Sequence, residues 1–280
     1  MSKDLTEKHT ALRILLREYE KEGLAVAFSG GTDSSLLTAV AHDVLGSRML
    51  AVTAQSPLYA QYECDQAVSL ARRLGVRHRL IVSDELATPG FAENPPNRCY
   101  LCKRELFREI AQTAACEGIQ RVADGTNADD TGDYRPGRRA ARELGVASPL
   151  LEANLTKADI RALSHDLGLP TADKPAMACL ASRFPYGTQI TEPALHAIEA
   201  VESALRQHGV RCYRARFHDT ICRIELGAGE VASFPGSDAC KAAVNAAKDA
   251  GFKYVTLDLD GYRTGSMNET LNEEQRNENL

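Results

Sequence analysis

Apolar residues recur every three or four positions in some stretches of the chain and run together in short blocks in others. The two patterns alternate from the N-terminus to about residue 180. Leu5, Leu12, Leu15, Leu16 and Tyr19 fall on one face of a helix over residues 4–22. Apolar blocks at 24–28, 49–53, 77–82 and 121–124 read as strands bounded by polar or glycine-containing turns. Helical periodicity covers 32–45, 61–74, 104–117, 133–144 and 156–167. This alternation predicts right-handed βαβ units, and so an α/β fold with a parallel sheet and helices on both faces.

The pattern changes after Arg183-Phe184-Pro185-Tyr186-Gly187-Thr188-Gln189-Ile190, a stretch rich in turn-forming residues. Beyond it come a long helix at 192–208, strands at 213–218 and 220–226, a helix at 237–250 and a strand at 254–258. The expected organisation is a nucleotide-handling domain over 1–185 and a small α+β domain over 186–268 for substrate binding or self-association. Residues 269–280 form a polar tail with two leucines as its apolar content, expected to be disordered. A homo-oligomer is expected.

Candidate chemistry begins at residues 24–34, LAVAFSGGTDS: a strand, a glycine turn and a helix start. Gly30 and Gly31 reach backbone angles closed to other residues and let a ligand approach the main chain. Turn N–H groups and the free N–H groups of the first helical turn then converge on one anion site. Ser29, Thr32, Ser34 and Ser35 add hydroxyls, and Asp33 adds a carboxylate suited to holding Mg²⁺ between phosphate oxygens. The plainer alternative is a helix corner with an ordinary Thr or Asp cap. No G-x-x-x-x-G-K-[ST] spacing is present. The segments after later strands, Thr53-Ala54-Gln55-Ser56 and Asp124-Gly125-Thr126-Asn127, are expected to line the same crevice, with Thr53, Gly125 and Asn127 as contacts.

The hexapeptide resembles the SGGxDS loop of the N-type ATP pyrophosphatases, the PP-loop or adenine nucleotide α-hydrolase-like superfamily. That resemblance implies that ATP is cleaved between its α- and β-phosphates, with the loop holding the departing pyrophosphate while a substrate oxygen takes AMP.

Composition narrows the partners. The 280 residues are 44% apolar and 25% charged, as in an ordinary globular protein. A net charge of −5 argues against a nucleic-acid partner. No uninterrupted apolar segment long enough for a signal peptide or a membrane span is visible, so a cytoplasmic location is expected. The eight cysteines are then thiols or metal ligands rather than disulfides.

Cys99 and Cys102 form C-x-x-C at an expected loop-to-helix corner, where the helix dipole with Arg98, Lys103 and Arg104 favours thiolates. Cys179 lies between the two expected domains. Cys64, Cys116, Cys212, Cys222 and Cys240 sit in apolar or helical patterns and read as core packing. C-x-x-C by itself fits half a zinc site, a redox pair or half an iron–sulfur site. One pair plus one distant cysteine suits a [4Fe–4S] cluster with an iron open to an external ligand such as hydrosulfide.

NPPNRCYLCKRELF, DGTNADDTGDYRPGRRAARELGVASPL, LTKADIRALSHDLGLPTADKPAMACLASRFPYG and GYRTGSMNE together resemble the LarE family over most of residues 10–268. Those ATP-dependent sulfur transferases build the nickel-pincer nucleotide cofactor. The resemblance implies that ATP adenylates each carboxylate of a pyridinium-3,5-dicarboxylate mononucleotide, after which sulfur displaces AMP to leave a thiocarboxylate. One form of the family surrenders the sulfur of a single cysteine, matched here by Cys179. The other carries three cysteines and an iron–sulfur cluster, matched here by Cys99, Cys102 and Cys179, with sulfide or another sulfur donor. A tRNA thiolase using the same adenylation chemistry is the alternative, and a non-enzymatic ATP- or metal-sensing module is a second.

Strand alternation puts Arg214 and Arg216 on one face, a fork for a phosphate. A solvated strand face is the plain alternative, and the resemblance favours contact with the substrate phosphate. Arg135, Arg138, Arg139 and Arg142 read as a solvated face with salt bridges to Asp133 and Glu143, and Glu225 is a weaker acidic candidate.

Overall fold

Residues 24–27, Leu-Ala-Val-Ala, are small and apolar because their strand is covered on both sides and both faces. The protein is described here from a computed structural model that covers residues 2–132, 136–175, 178–263 and 265–271. The chain divides into two compact units. The first runs to Glu85 and resumes from Cys99; the second takes Leu86–Arg98 and the chain from Ala178 onward.

The first unit contains α1 (Lys3–Glu18), β1 (Leu24–Ala27), α2 (Thr32–Leu45), β2 (Met49–Gln55), α3 (Gln61–Arg73), β3 (His78–Val82), α4 (Arg98–Cys116) and β4 (Arg121–Ala123), followed by α5 (Pro136–Glu143), α6 (Pro149–Glu152) and α7 (Lys157–Asp166). Its sheet has the order β3-β2-β1-β4, with all three pairings parallel. Alternation along β1 and β2 divides the core as the two-residue period requires. Leu24, Val26, Met49 and Ala51 pack with Leu12, Leu16, Leu36, Leu37, Ile160 and Leu163 of α1, α2 and α7. Ala25, Leu50 and Val52 pack on the other side with Leu106, Phe107 and Ile110 of α4 and Ala141 of α5. The sheet is an α/β layer covered on both faces.

Several boundaries differ from the sequence pattern. α1 stops at Glu18 rather than residue 22, since Tyr19 N–H turns back to Leu16 O and the chain leaves through Gly23 at φ 72°. β2 runs on past Thr53 to Gln55 because β3 pairs with it to the end, Gln55 opposite Val82. α4 begins at Arg98, six residues before 104, so both cysteines of the C-x-x-C lie in the opening residues of the helix, at the expected loop-to-helix corner. Burial of Cys102 beneath that turn outweighs the modest helix propensity of cysteine. Cys116 at the end of α4 is exposed, so it is not a core residue. The expected helix start at 133–135, with Asp133 and Arg135, lies outside the described residues.

The second unit holds α8 (Glu192–Gln207), β5 (Tyr213–His218), β6 (Ile221–Leu226), α9 (Ala228–Val231), α10 (Asp238–Asp249) and β7 (Tyr254–Leu257). β5 and β6 are an antiparallel hairpin, and β7 returns parallel to β6 after α10. Asp219 takes φ 53° in the two-residue turn, a conformation that Asp tolerates better than most side chains. Leu195, Ile198, Val201 and Leu205 line the buried face of α8, and Ala243 and Ala247 that of α10. Burial pushes the Cys222 thiol up to about 12. The tail differs from expectation at its start: Ser266–Thr270 form a 3₁₀ turn and Leu271 is 6% exposed. Residues 272–280 of the expected disordered tail lie outside the described residues.

Segment 86–98 belongs with the second unit through backbone pairing that no local pattern announces. Gly187 N donates to Asn94 O at 2.9 Å and Ile190 N to Ala92 O at 2.8 Å. Asn94, fully buried at φ 55°, sends its amide to Phe184 O at 3.2 Å and Pro185 O at 2.7 Å, and its carbonyl accepts from Arg98. Asn94→Ala leaves two carbonyls and a guanidinium short of a partner, so it should lower stability by about 1–3 kcal/mol. A urea titration showing an unchanged midpoint would contradict this.

Candidate functional site

The order β3-β2-β1-β4 reverses direction between β1 and β4, and such a switch point opens a crevice beyond the C-terminal strand ends. The turn after β1 and the loop after β4 both leave there. Gly30 stands at φ 66°, and a Cβ built on it would lie 3.0 Å from both Cα and Cβ of Ala67 in α3. A side chain at Gly30 is therefore both strained and blocked. Gly31 precedes α2 in extended geometry, and no side chain caps that helix. The first-turn N–H groups of this 14-residue helix are left for an outside acceptor, and the dipole favours an anion there.

The hydroxyls divide into two groups. Ser29 is exposed and shares a 3.2 Å contact with Ser34 Oγ, while Gly31 N donates to Ser29 Oγ at 3.4 Å. Thr32 is buried, its hydroxyl donating to Thr171 O at 2.9 Å, and Ser35 is fully buried. Thr53 is also buried, with its hydroxyl on Phe28 O at 2.7 Å and against His78 Nε2 at 2.9 Å. Thr53 thus braces the end of β1 from β2.

Asp33 receives Lys157 Nζ at 2.5 Å and Asn127 Nδ2 at 3.3 Å. Asn127 is held by Asp130, which accepts its N–H at 3.0 Å, and Asp129 takes the Lys157 N–H at 2.8 Å. Gly125 passes so close to α2 that a Cβ there would lie 3.1 Å from Ser34 N and 3.2 Å from Asp33 Cβ. Lys174 reaches the turn from the other side, donating to Gly30 O at 3.0 Å. Burial holds the Lys174 ammonium below the usual lysine range, partly offset by Glu63. Sequence reasoning missed both lysines. One signal was available for Lys157: it is the first residue of α7, where the helix dipole disfavours a cation unless an acid faces it.

Cys99 and Cys102 sit three residues apart in the first turn of α4, with Cys102 8% exposed and Cys99 half-buried. Cys179 belongs to the second unit, half-buried at the start of a 3₁₀ turn, Leu180–Arg183. All eight cysteines are free thiols. Among the described residues, no group of three His, Cys, Asp or Glu side chains is placed to hold a metal ion.

On β5, Arg214 and Arg216 are 6% and 4% exposed, so the alternative of a solvated face does not hold. Arg216 pairs with Glu225 at 2.7 Å, and Glu225 also takes Arg223 at 3.0 Å. The Arg214 guanidinium lies 4.8 Å over the Tyr262 ring, and burial, then Arg183 nearby, pull its pKa below the ordinary value. His218, Arg223, Glu225, Asp258 and Arg263 line a cavity of about 230 Å³ in this unit. On α5, Arg139 meets Glu143 at 2.8 Å as expected for a solvated face, and Arg138 donates to Asp130 O.

The NAD synthase family pattern matches residues 5–88, the part holding the β1 turn and α2. An uncharacterised protein of Synechocystis is 42% identical over 258 residues, covering 91% of this chain and 96% of its own length. The pyridinium-3,5-bisthiocarboxylic acid mononucleotide synthase of Lactiplantibacillus plantarum is 39% identical over 273 residues, 97% of each chain. An uncharacterised protein of Methanocaldococcus jannaschii is 27% identical over 250 residues, covering 89% of this chain and 94% of its own. No helix among the described residues is long and apolar enough to cross a membrane.

Two glycines with positive φ make a controlled comparison. Gly46 has φ 54° and open space where a Cβ would go, whereas Gly30 has none. Gly46→Ala should cost only the backbone strain, about 1 kcal/mol, and Gly30→Ala about 1–3 kcal/mol more. Equal urea midpoints for the two variants would show that the contact with Ala67 carries no constraint.

Proposed function

The chain belongs to the LarE family of ATP-dependent sulfur transferases, and from that premise we propose that it converts the carboxylates of pyridinium-3,5-dicarboxylate mononucleotide to thiocarboxylates. The observation that carries this reading is the uncapped N-terminus of α2 behind the Gly30 turn, with Asp33 at its mouth, in a chain 39% identical to the named synthase over nearly its full length.

Gly30, Gly31, Ser29 and Ser34 receive the β- and γ-phosphates of ATP, while Thr32 and Thr53 hold the turn in shape from below and Ser35 lies buried in the first turn of α2. Gly125 and Asn127 close the side of the crevice. A substrate carboxylate oxygen attacks the α-phosphorus, the bond to the pyrophosphate oxygen breaks, and an acyl adenylate forms. Backbone N–H groups at the head of α2 stabilise the negative charge that grows on the leaving pyrophosphate. Asp33 would hold the Mg²⁺ that accompanies ATP, which would neutralise phosphate charge. Lys157 holds that carboxylate in the absence of nucleotide, and on nucleotide binding its ammonium turns to the phosphates. Arg214 and Arg216 supply positive charge for the substrate's own phosphate.

The thiols Cys99, Cys102 and Cys179 then handle the sulfur. Cysteine sulfur is the donor that a [4Fe–4S] cluster takes, and these three free thiols would supply three of its ligands. Such a cluster, when bound, would offer a hydrosulfide at its open iron. A second reading is that Cys179, a half-buried free thiol, gives up its own sulfur: its thiolate attacks the acyl carbon as AMP leaves, and the Cβ–Sγ bond then breaks with loss of the Cα proton to leave dehydroalanine. Free thiols fit a reducing compartment, and we place the enzyme in the cytoplasm, self-associating through its second unit.

Asp33→Ala should abolish pyrophosphate release in a protein with unchanged circular dichroism; normal release would remove the assignment of the loop. For the sulfur route, Cys99→Ala should lose most of its iron after anaerobic reconstitution, and wild type should exceed one product per chain when given sulfide. Product that stops at one sulfur per chain, with Cys179 lighter by one H₂S in peptide mass spectrometry, would decide for the sacrificial route.

A further inference from the structure

Cys179 sits on an irregular segment whose main chain is held by one guanidinium. Arg183 is 1% exposed and has nowhere to meet water. Its Nε and Nη2 donate to the two oxygens of Glu202, each at 2.8 Å. Its Nη1 faces Ala178 O at 2.7 Å, Cys179 O at 3.0 Å and Ser182 Oγ at 2.9 Å. Glu202 comes from the buried face of α8, and its Oε1 also accepts the backbone N–H of Ala215 at 3.0 Å. Ala215 lies between Arg214 and Arg216 on β5. Arg216 makes a second connection, donating to Ser182 O at 2.9 Å while pairing with Glu225.

Two buried routes therefore join the cysteine segment to the arginine strand. A buried ion pair is a costly way to hold two elements together, because both charges must leave water, and packed apolar side chains of similar volume often serve stability as well. This pair does something apolar packing cannot do. The planar fork of arginine satisfies a carboxylate on one edge and successive main-chain carbonyls on the other, which fixes a segment lacking a regular ladder. Lysine, a point charge on a flexible stem, cannot reproduce both edges.

We propose that Arg183 and Glu202 are positioning residues that keep the Cys179 sulfur in register with the Arg214–Arg216 strand, so that a substrate anchored there by its phosphate presents its activated acyl carbon to sulfur. This rests on the roles given above to Cys179 and to the two arginines. Neither Arg183 nor Glu202 touches the reacting atoms; both act through the backbone of other residues.

The test compares wild type with Arg183→Lys, Glu202→Gln and, in case a half-broken buried pair unfolds the chain, the double apolar variant Arg183→Met/Glu202→Leu. Iodoacetamide labelling of Cys179 is followed by peptide mass spectrometry, with the exposed Cys116 as internal reference. Pyrophosphate and thiocarboxylate are measured in parallel. The labelling ratio of Cys179 to Cys116 should rise about tenfold in folded variants, and thiocarboxylate formed per pyrophosphate should fall by about a hundredfold, the scale of an ångström of misplacement. A folded variant with the wild-type labelling ratio overturns the clamp. A raised labelling ratio with wild-type product per pyrophosphate overturns its part in sulfur transfer. Full product formation by Cys179→Ser would instead overturn the role given to Cys179, while the labelling measurement still reports the clamp.

Discussion

The close approach of Gly30 to Ala67 sets the geometry of the first unit around the crevice. With no side chain between them, the turn after β1 folds tightly over α3 and delivers the chain straight into α2. Its first turn then stands at the sheet's switch point with no side-chain cap. Three contacts are arranged around that helix end: Thr53 braces the carbonyl of Phe28 just after β1, Thr32 is tied to the 171–174 segment, and Gly125 lies against the first turn. A bulkier residue at either glycine would lengthen the turn and pull these contacts out of alignment.

The charge around the helix end is balanced without being filled. Asp33 in the first turn of α2 suits the dipole, yet it is matched by Lys157, while Lys174 sits on Gly30 O in a setting that disfavours its charge. Lys157 thus offsets the carboxylate at the helix end, and Lys174 ties down the turn that precedes it. In the proposed ATP site, the helix amides and dipole and the neighbouring lysines would all favour a polyphosphate.

The second unit uses charge differently. Arg183–Glu202 and Arg216–Glu225 are sealed from solvent, with Arg183 Nη1 directed to the carbonyls of Ala178 and Cys179 and Arg216 Nη1 to that of Ser182. Stability alone is a weak reason for such pairs, since desolvation consumes most of what attraction returns. Their directionality is the better reason, because a guanidinium fork fixes angles as well as distances. The irregular segment gains rigidity here that it would otherwise take from a helix or a strand.

Much of the fold was legible in the sequence because its causes are local. Block-and-stripe alternation named the elements of the parallel sheet, and Gly30-Gly31 between an apolar strand and a helix pointed to the tight turn after β1. Tyr213–His218 was placed to the residue because alternation and a turn bounded it. The α4 start was not legible: six residues with ordinary propensities became helix because Cys102 found a buried place. The pairing of segment 86–98 with residues near 184–190 was equally hidden. At the site, the sequence by itself determined which residue types lay in the turn and which cysteines were available. Tertiary structure alone decided that Lys157 meets Asp33 across 124 positions and that Arg183 joins Cys179 to Glu202. Local preference acts over a few residues and leaves a periodic trace, whereas a pairing between distant charges depends on where the packed core brings their backbones and leaves none.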